Sequence, residues 1–104
     1  MKRLLTLLLF FNTMLLLLQA QPMHQIKGTV IDKNSRQPLE FINVMIIGLN
    51  MGSVTNAEGR FTIEQVPPGI YRLQASAIGY KSVTTSEYIL STKNLNIPIE
   101  MEEN

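Results

Sequence analysis

Gly28-Thr-Val-Ile-Asp32, Pro38-Leu-Glu-Phe-Ile-Asn-Val44, Thr55-Asn-Ala-Glu-Gly-Arg-Phe61 and Val66-Pro-Pro-Gly-Ile-Tyr71 all fall in one stretch of the chain, Ile26 to Tyr80. Short runs rich in Val, Ile, Thr, Phe and Tyr are interrupted there by Gly, Pro, Asn and Asp, residues that turn a chain for different physical reasons. Runs of that length, spaced by roughly 8–12 residues, predict a small all-β sandwich of two sheets and about seven strands.

Working outward, alternation assigns the strands and their faces. Ile26, Gly28 and Val30 share one face of the first strand, Ile26 to Asp32, with Lys27, Thr29 and Ile31 on the other. Asp32 to Pro38 is a polar turn, and Phe41 to Ile47 reads as a strand with Ile42, Val44 and Ile46 facing the core and Asn43 marking the far side. Gly48 and Gly52 bracket a further turn, and Ser53 to Thr55 follows as a short strand. Asn56-Ala-Glu-Gly59 predicts a tight hairpin turn in which Asn56 bonds the downstream backbone and Gly59 takes the left-handed conformation. Arg60 to Glu64 returns with Phe61 and Ile63 inward, and Pro67, Pro68 and Gly69 end that run. Tyr71, Leu73, Ala75 and Ala77 then alternate with polar residues as one half-buried strand; Gly79-Tyr80 breaks it, and Lys81 to Thr85 resumes extended structure. In the last strand Leu95, Ile97, Ile99 and Met101 alternate with Asn96, Pro98 and Glu100, and Pro98 predicts a sheet edge.

The ends and the composition bound what the molecule can be. Lys2 and Arg3 precede an apolar run, Leu4 to Leu18, broken only by Thr6, Asn12 and Thr13, which reads as a secretory signal over residues 1–20. A membrane span needs about 20 continuous apolar residues, and this run is shorter. Residues 21–25 are expected to form a short disordered lead and 26–104 the sandwich. Without residues 1–20 the chain keeps seven basic and eight acidic residues, so no basic face is available for nucleic acid. There is no cysteine, hence no disulfide and no lipid attachment at an N-terminal cysteine. At this size a domain buries only about 60–65% of its unfolded surface, so its stability is expected to be modest.

Gly28-x-Val30-x-Asp32, Pro38-Leu39 followed by Asn43-Val44, Gly48, Thr55-Asn56 with Gly59 and Phe61, Pro67-x-Gly69-x-Tyr71 and Gly79-Tyr80-Lys81 together, in this order, resemble the carboxypeptidase regulatory-like domain. That family has a transthyretin-like sandwich, and this version is similar to domains at the N-termini of TonB-dependent outer-membrane receptors of Bacteroidetes-type bacteria. The resemblance covers nearly everything after the apolar run. It departs at Leu49-Asn-Met51, where relatives often carry a Thr-rich turn, and at Asn104, beyond which a receptor would continue into plug and barrel. A fragment, a truncated product and a free-standing module all fit that ending. The resemblance implies a non-catalytic accessory domain, exported to the periplasm or outer membrane of a Gram-negative bacterium, with a protein partner such as a receptor plug or barrel.

Catalytic, metal and cofactor sites are not expected. His24 is the single histidine, so zinc peptidase chemistry with two histidines and a glutamate on the metal is out of reach. Asp32, Asn56 and Glu58 are spaced for turn capping rather than for the six or more oxygens of calcium. The serines have no histidine base partner signature. Tyr71 and Tyr80 are expected to pack at the core edge with their phenols on polar partners. The alternative reading makes them an aromatic platform in a free-standing glycan-binding or polymer-binding module.

Overall fold

A computed structural model describes residues 2–19 and 23–104. In chain order it contains α1 (Lys2–Gln19), β1 (His24–Asp32), β2 (Asn43–Ile46), β3 (Gly52–Val54), β4 (Arg60–Val66), β5 (Gly69–Tyr71), β6 (Leu73–Ser76), β7 (Val83–Thr84), β8 (Tyr88–Leu90) and β9 (Leu95–Met101). No described helix is long and apolar enough to cross a membrane, which says nothing about strands. The lead expected over 21–25 lies partly outside the described residues, and its last two, His24 and Gln25, already belong to β1.

A three-stranded sheet, β4-β1-β9, faces a four-stranded sheet, β3-β2-β6-β7, and a two-stranded ribbon, β5-β8, closes one side. β1 is the central strand of its sheet, antiparallel to β4 and parallel to β9, with Gly28 opposite both Phe61 and Ile97. Alternation places Ile26 and Val30 of β1, Val44 and Ile46 of β2, Phe61 and Ile63 of β4, Leu73 and Ala75 of β6, and Ile97, Ile99 and Met101 of β9 in one core, each at most 3% exposed. Among the described residues this core is drawn wholly from 26–101, so the sandwich closes without α1. Three ion pairs, Arg36–Glu100, Arg72–Glu87 and Lys81–Glu102, sit on the surface. Such pairs contribute about 0–1 kcal/mol each, against about 1.5–3 kcal/mol for each buried aliphatic side chain, so packing decides the fold.

Pro98 lies at an edge, as its chemistry predicts. Lys33 N–H donates to the Met101 carbonyl at 2.8 Å, which turns the polar groups of Met101 towards β1. Pro98 is out of phase with Met101 and therefore faces the open side of β9, where its missing N–H removes no ladder bond and discourages another strand from joining.

Several elements differ from the sequence reading. The half-buried strand expected from Tyr71 to Ala77 is two strands, because the chain changes sheets at Arg72: β5 pairs with β8, and β6 with β2 and β7. β8, in a segment with no alternating signal, pairs Ile70 with Ile89 on the ribbon. Asn56 to Gly59 does form a turn, but β3 and β4 belong to different sheets, so it crosses between layers rather than joining a hairpin. β4 runs on to Val66 through a bulge. His24 pairs with Val66 and Ile26 with Ile63, leaving one extra residue on β4, and Gln65 takes φ 58°. That insertion swings Val66 back into the core, where it is fully buried.

Phe41 is also not in a strand. Its φ is 62°, a region that costs a bulky L-residue about 1–2 kcal/mol, and its side chain is 74% exposed. Thr55, itself buried, imposes this shape. The Thr55 hydroxyl donates to the Leu39 carbonyl at 2.6 Å and accepts from Ile42 N–H at 2.9 Å, while Phe41 N–H donates to the Thr55 carbonyl at 3.1 Å.

Two stability measurements check this description by urea unfolding. A Cβ at Gly28 would meet the Ile97 carbonyl and the Phe61 ring, so Gly28→Ala is expected to cost about 2–3 kcal/mol through overpacking. Phe41→Gly is expected to gain about 0.5–1 kcal/mol, the left-handed strain relieved less the extra chain entropy of glycine.

Candidate functional site

Most residues singled out in the sequence sit in small local fixtures rather than in one site. Gly28 lies under the Phe61 ring, within the β1–β4 register. Gly59, at φ 73°, is buried against β1: Val30 N–H donates to its carbonyl at 2.8 Å, and an added Cβ would stand 3.0 Å from Pro38 Cβ. Pro38 itself bridges to Ile31. Asn56 Oδ1 accepts from Glu58 N–H at 3.0 Å and Arg60 N–H at 2.9 Å, which holds that turn together. The Tyr71 hydroxyl reaches back to the Pro67 carbonyl at 2.7 Å, and its ring packs against Gly69. Gly48, at φ 90°, ends β2 in open space. Asn43 is exposed on β2, opposite Val54 and Ser76.

Titratable groups with shifted pKa values converge at the end of β1. Asp32 Oδ1 accepts backbone N–H bonds from Asn34 at 2.8 Å and Ser35 at 2.9 Å, and its Oδ2 accepts the Tyr80 hydroxyl at 3.3 Å. Gly79, at φ 89°, turns the chain so that Tyr80 can pair with Glu103, and the carbonyls of Glu102 and Gly79 accept from Lys81 and Asn104 N–H respectively, both at 2.9 Å. The result is a clasp that joins the end of β1, the turn after β6 and the tail after β9. The Ser35 and Asn34 amides hold the Asp32 carboxyl below its usual range, overcoming the opposite effect of burial, with smaller help from Tyr80 and the Ser35 side chain. Burial pushes the Tyr80 phenol up, and the nearby Asp32 and Glu103 carboxylates push it further. A carboxylate and a phenol so bonded hold a turn. Among the described residues no group of three or more His, Cys, Asp or Glu side chains could hold a metal ion.

A second feature was not legible in the sequence. Leu39 to Asn43 and Ser76 to Ile78, with Tyr80, line an open cleft of about 390 Å³ between the segment before β2 and the turn after β6. Phe41 and Ile78 stand on its rim, 74% and 103% exposed. The only available signal was Ile78 beside Gly79, an apolar residue in a turn.

The clasp generates a pH prediction with two limbs. Asp32 has a lowered folded-state pKa, so its contribution is present above the unfolded carboxylate range, about pH 4, and is lost as pH falls through the folded value. Tyr80 has a raised one, so its contribution is present below about pH 10 and lost as pH rises through the folded value. Urea midpoints measured from pH 2 to 11 should show Asp32→Asn flattening the acid limb and Tyr80→Phe the alkaline limb, each with lower stability at neutral pH.

Comparison with known proteins places these features. The CarboxypepD_reg-like domain family matches residues 26–104. The chain is 33% identical over 79 residues to the TonB-dependent transporter Oar of Myxococcus xanthus, a match that covers 71% of this chain and 7% of that protein's length. Among solved structures, a chain of a type II cohesin-X-dockerin complex from Acetivibrio cellulolyticus is similar with a TM-score of 0.66 at 19% identity, over 75% of this chain and 56% of that one. A 5-hydroxyisourate hydrolase of Klebsiella pneumoniae is similar with a TM-score of 0.59 at 17% identity, over 79% of this chain and 92% of that one. At such identities the structural likeness speaks for the sandwich alone. The family match spans the sandwich from Ile26 to the clasped tail, and the chain therefore belongs to the CarboxypepD_reg-like domain family.

Proposed function

We propose that the chain is a non-catalytic, exported interaction domain that serves as the N-terminal extension of a TonB-dependent outer-membrane transport receptor. The observation that carries this reading is the 33% identity to the transporter Oar, held over 79 residues of a far longer protein. The apolar α1 behind Lys2 and Arg3 supports export through a cleaved signal, with the sandwich delivered to the periplasmic side of the envelope. The fixtures around Gly28, Gly59, Tyr71 and Asp32 support a structural task for the residues the family pattern shares, since each is engaged in a turn, a close packing or a backbone bond.

The strand arrangement suits an extension. Because β1 and β9 are parallel neighbours, the chain enters beside Leu95 at one end of the sheet and leaves past Met101 at the other. A domain built this way sits in line between its neighbouring segments in a longer polypeptide, leaving its outer faces free for a partner. The glycan-binding alternative gains nothing from the geometry, as the phenols of Tyr71 and Tyr80 are engaged with different partners, the Pro67 carbonyl and Asp32.

Envelope fractionation with an antiserum raised against residues 23–104 tests the proposal. The expected result is a band in the outer-membrane fraction, on a polypeptide many times larger than the 11.8 kDa of this chain. A small soluble band found only in the cytoplasm would end the reading, and a small periplasmic band would remove its receptor part.

A further inference from the structure

We propose that the cleft between Phe41 and Ile78 is a docking site for a flexible segment of a partner protein that carries an apolar anchor beside lysine or arginine. The inference rests on the reading of the chain as an interaction domain and names the surface and the chemistry it would use. Its volume, about 390 Å³, lies at the small end of the range typical of ligand pockets, about 300–1,000 Å³, which suits a side-chain anchor rather than a whole folded face.

Three observations converge. The rim residues are large and apolar, Phe41 mostly and Ile78 fully exposed, on a surface where neighbouring side chains, Ile42 and Leu39, are wholly or partly buried. Phe41 is held outward by a left-handed backbone that Thr55 fixes from below; the bonds there serve the fold, but the exposed ring itself adds no packing to it. The third is charge. Glu40 is the one charged residue lining the cleft, and it forms no ion pair among the described residues. Beside it the Tyr80 hydroxyl donates to the Asp32 carboxylate at 3.3 Å and the Tyr80 backbone pairs with Glu103, which also forms no ion pair among the described residues. No lysine or arginine lines the cleft, so an apolar anchor flanked by positive charge complements it, and a flanking negative charge is repelled.

The test uses residues 23–104, whose core closes without α1, labelled with ¹⁵N, and three synthetic peptides. One is Ac-Gly-Leu-Phe-Lys-Arg-Gly-NH₂, the second replaces its basic pair with Glu-Asp, and the third replaces Leu-Phe with Ser-Ser. The basic apolar peptide is expected to bind in the millimolar range or tighter, shifting the amides of 39–43 and 76–80 and weakening as salt screens Glu40 and Glu103. Ile78→Ser and Phe41→Gly are each expected to weaken it by about tenfold or more, a loss of about 1.4 kcal/mol, while thermal melts show that both variants remain folded. The other two peptides should leave the spectrum unchanged. Equal binding of the acidic peptide, shifts elsewhere on the sandwich, or no shifts at about 5 mM peptide would overturn the proposal. Concentration-dependent self-association through the same amides would also overturn it, by assigning the cleft to a second copy of the chain. All of these outcomes are independent of the fractionation result, so docking site and receptor reading can fail separately.

Discussion

The parallel ladder between β1 and β9 is the pairing on which the rest of the structure depends. It joins the first strand of the sandwich to the last, across more than sixty residues of chain, and it makes β1 a central strand with β4 on its other side. Parallel pairing is slightly weaker per residue than antiparallel and closes a long loop, so it needs reinforcement. Core side chains from Ile97, Ile99 and Met101 supply part of that, and the Asp32 clasp supplies the rest at the end where the tail would otherwise fray. The close approach of Gly28 to the Ile97 carbonyl is a direct consequence: the ladder is tight because one residue in it has no side chain.

Conformational strain is distributed unevenly over this frame. Gly48, Gly59 and Gly79 occupy left-handed positions where the absence of Cβ makes them inexpensive. Arg36, Phe41 and Gln65 occupy similar positions without that advantage. Gln65 has an evident compensation, since its bulge returns Val66 to the core. Arg36 sits in the turn closed by its own N–H bond to the Asp32 carbonyl at 2.9 Å. Phe41 is held by its own N–H bond to the Thr55 carbonyl at 3.1 Å, in the fixture that seats Ile42 in the core, yet its ring stays 74% exposed. At Phe41 the backbone bonds serve the fold and the exposed ring does not, so the ring is the part whose purpose is sought outside the folded chain.

The parts of the fold legible in the sequence are those whose signals are local. Alternation in Ile26 to Asp32, Arg60 to Glu64 and Leu95 to Met101 identified strands and faces correctly, because a half-buried strand writes its burial into a period of two. The chemistry of Pro98, Gly59 and Asn56 likewise announced an edge, a left-handed turn and a cap. Sheet membership was not legible. Tyr71 to Ala77 alternates without a break, yet the chain changes sheets at Arg72, and nothing in the alternation records which neighbour a strand will take. Tyr88–Leu90 was missed for a related reason, as a three-residue ribbon strand with one buried residue has no period to read. The cleft was the least legible of all, because it depends on Thr55, thirteen or more residues away, bending the chain at Phe41.

The clasp and the cleft share Tyr80, and this connects the surface of the domain to its tail. Tyr80 walls the cleft on one side, holds Asp32 on another, and pairs through its backbone with Glu103 in the tail. Asn104 is bonded to Gly79 of the same turn, so the path of the chain out of the sandwich runs alongside the cleft. A ligand that fits the cleft only when Tyr80 is in place adds RT ln(1 + [L]/Kd) to the stability of the closed clasp, about 2.7 kcal/mol at a hundredfold excess over Kd. By the same linkage, anything that loosens the tail weakens the ligand by an equal free energy. The residues that close this small sandwich thus place one side chain, Tyr80, both in the wall of the cleft and in the anchoring of the tail, so a ligand held there would be linked to the clasp.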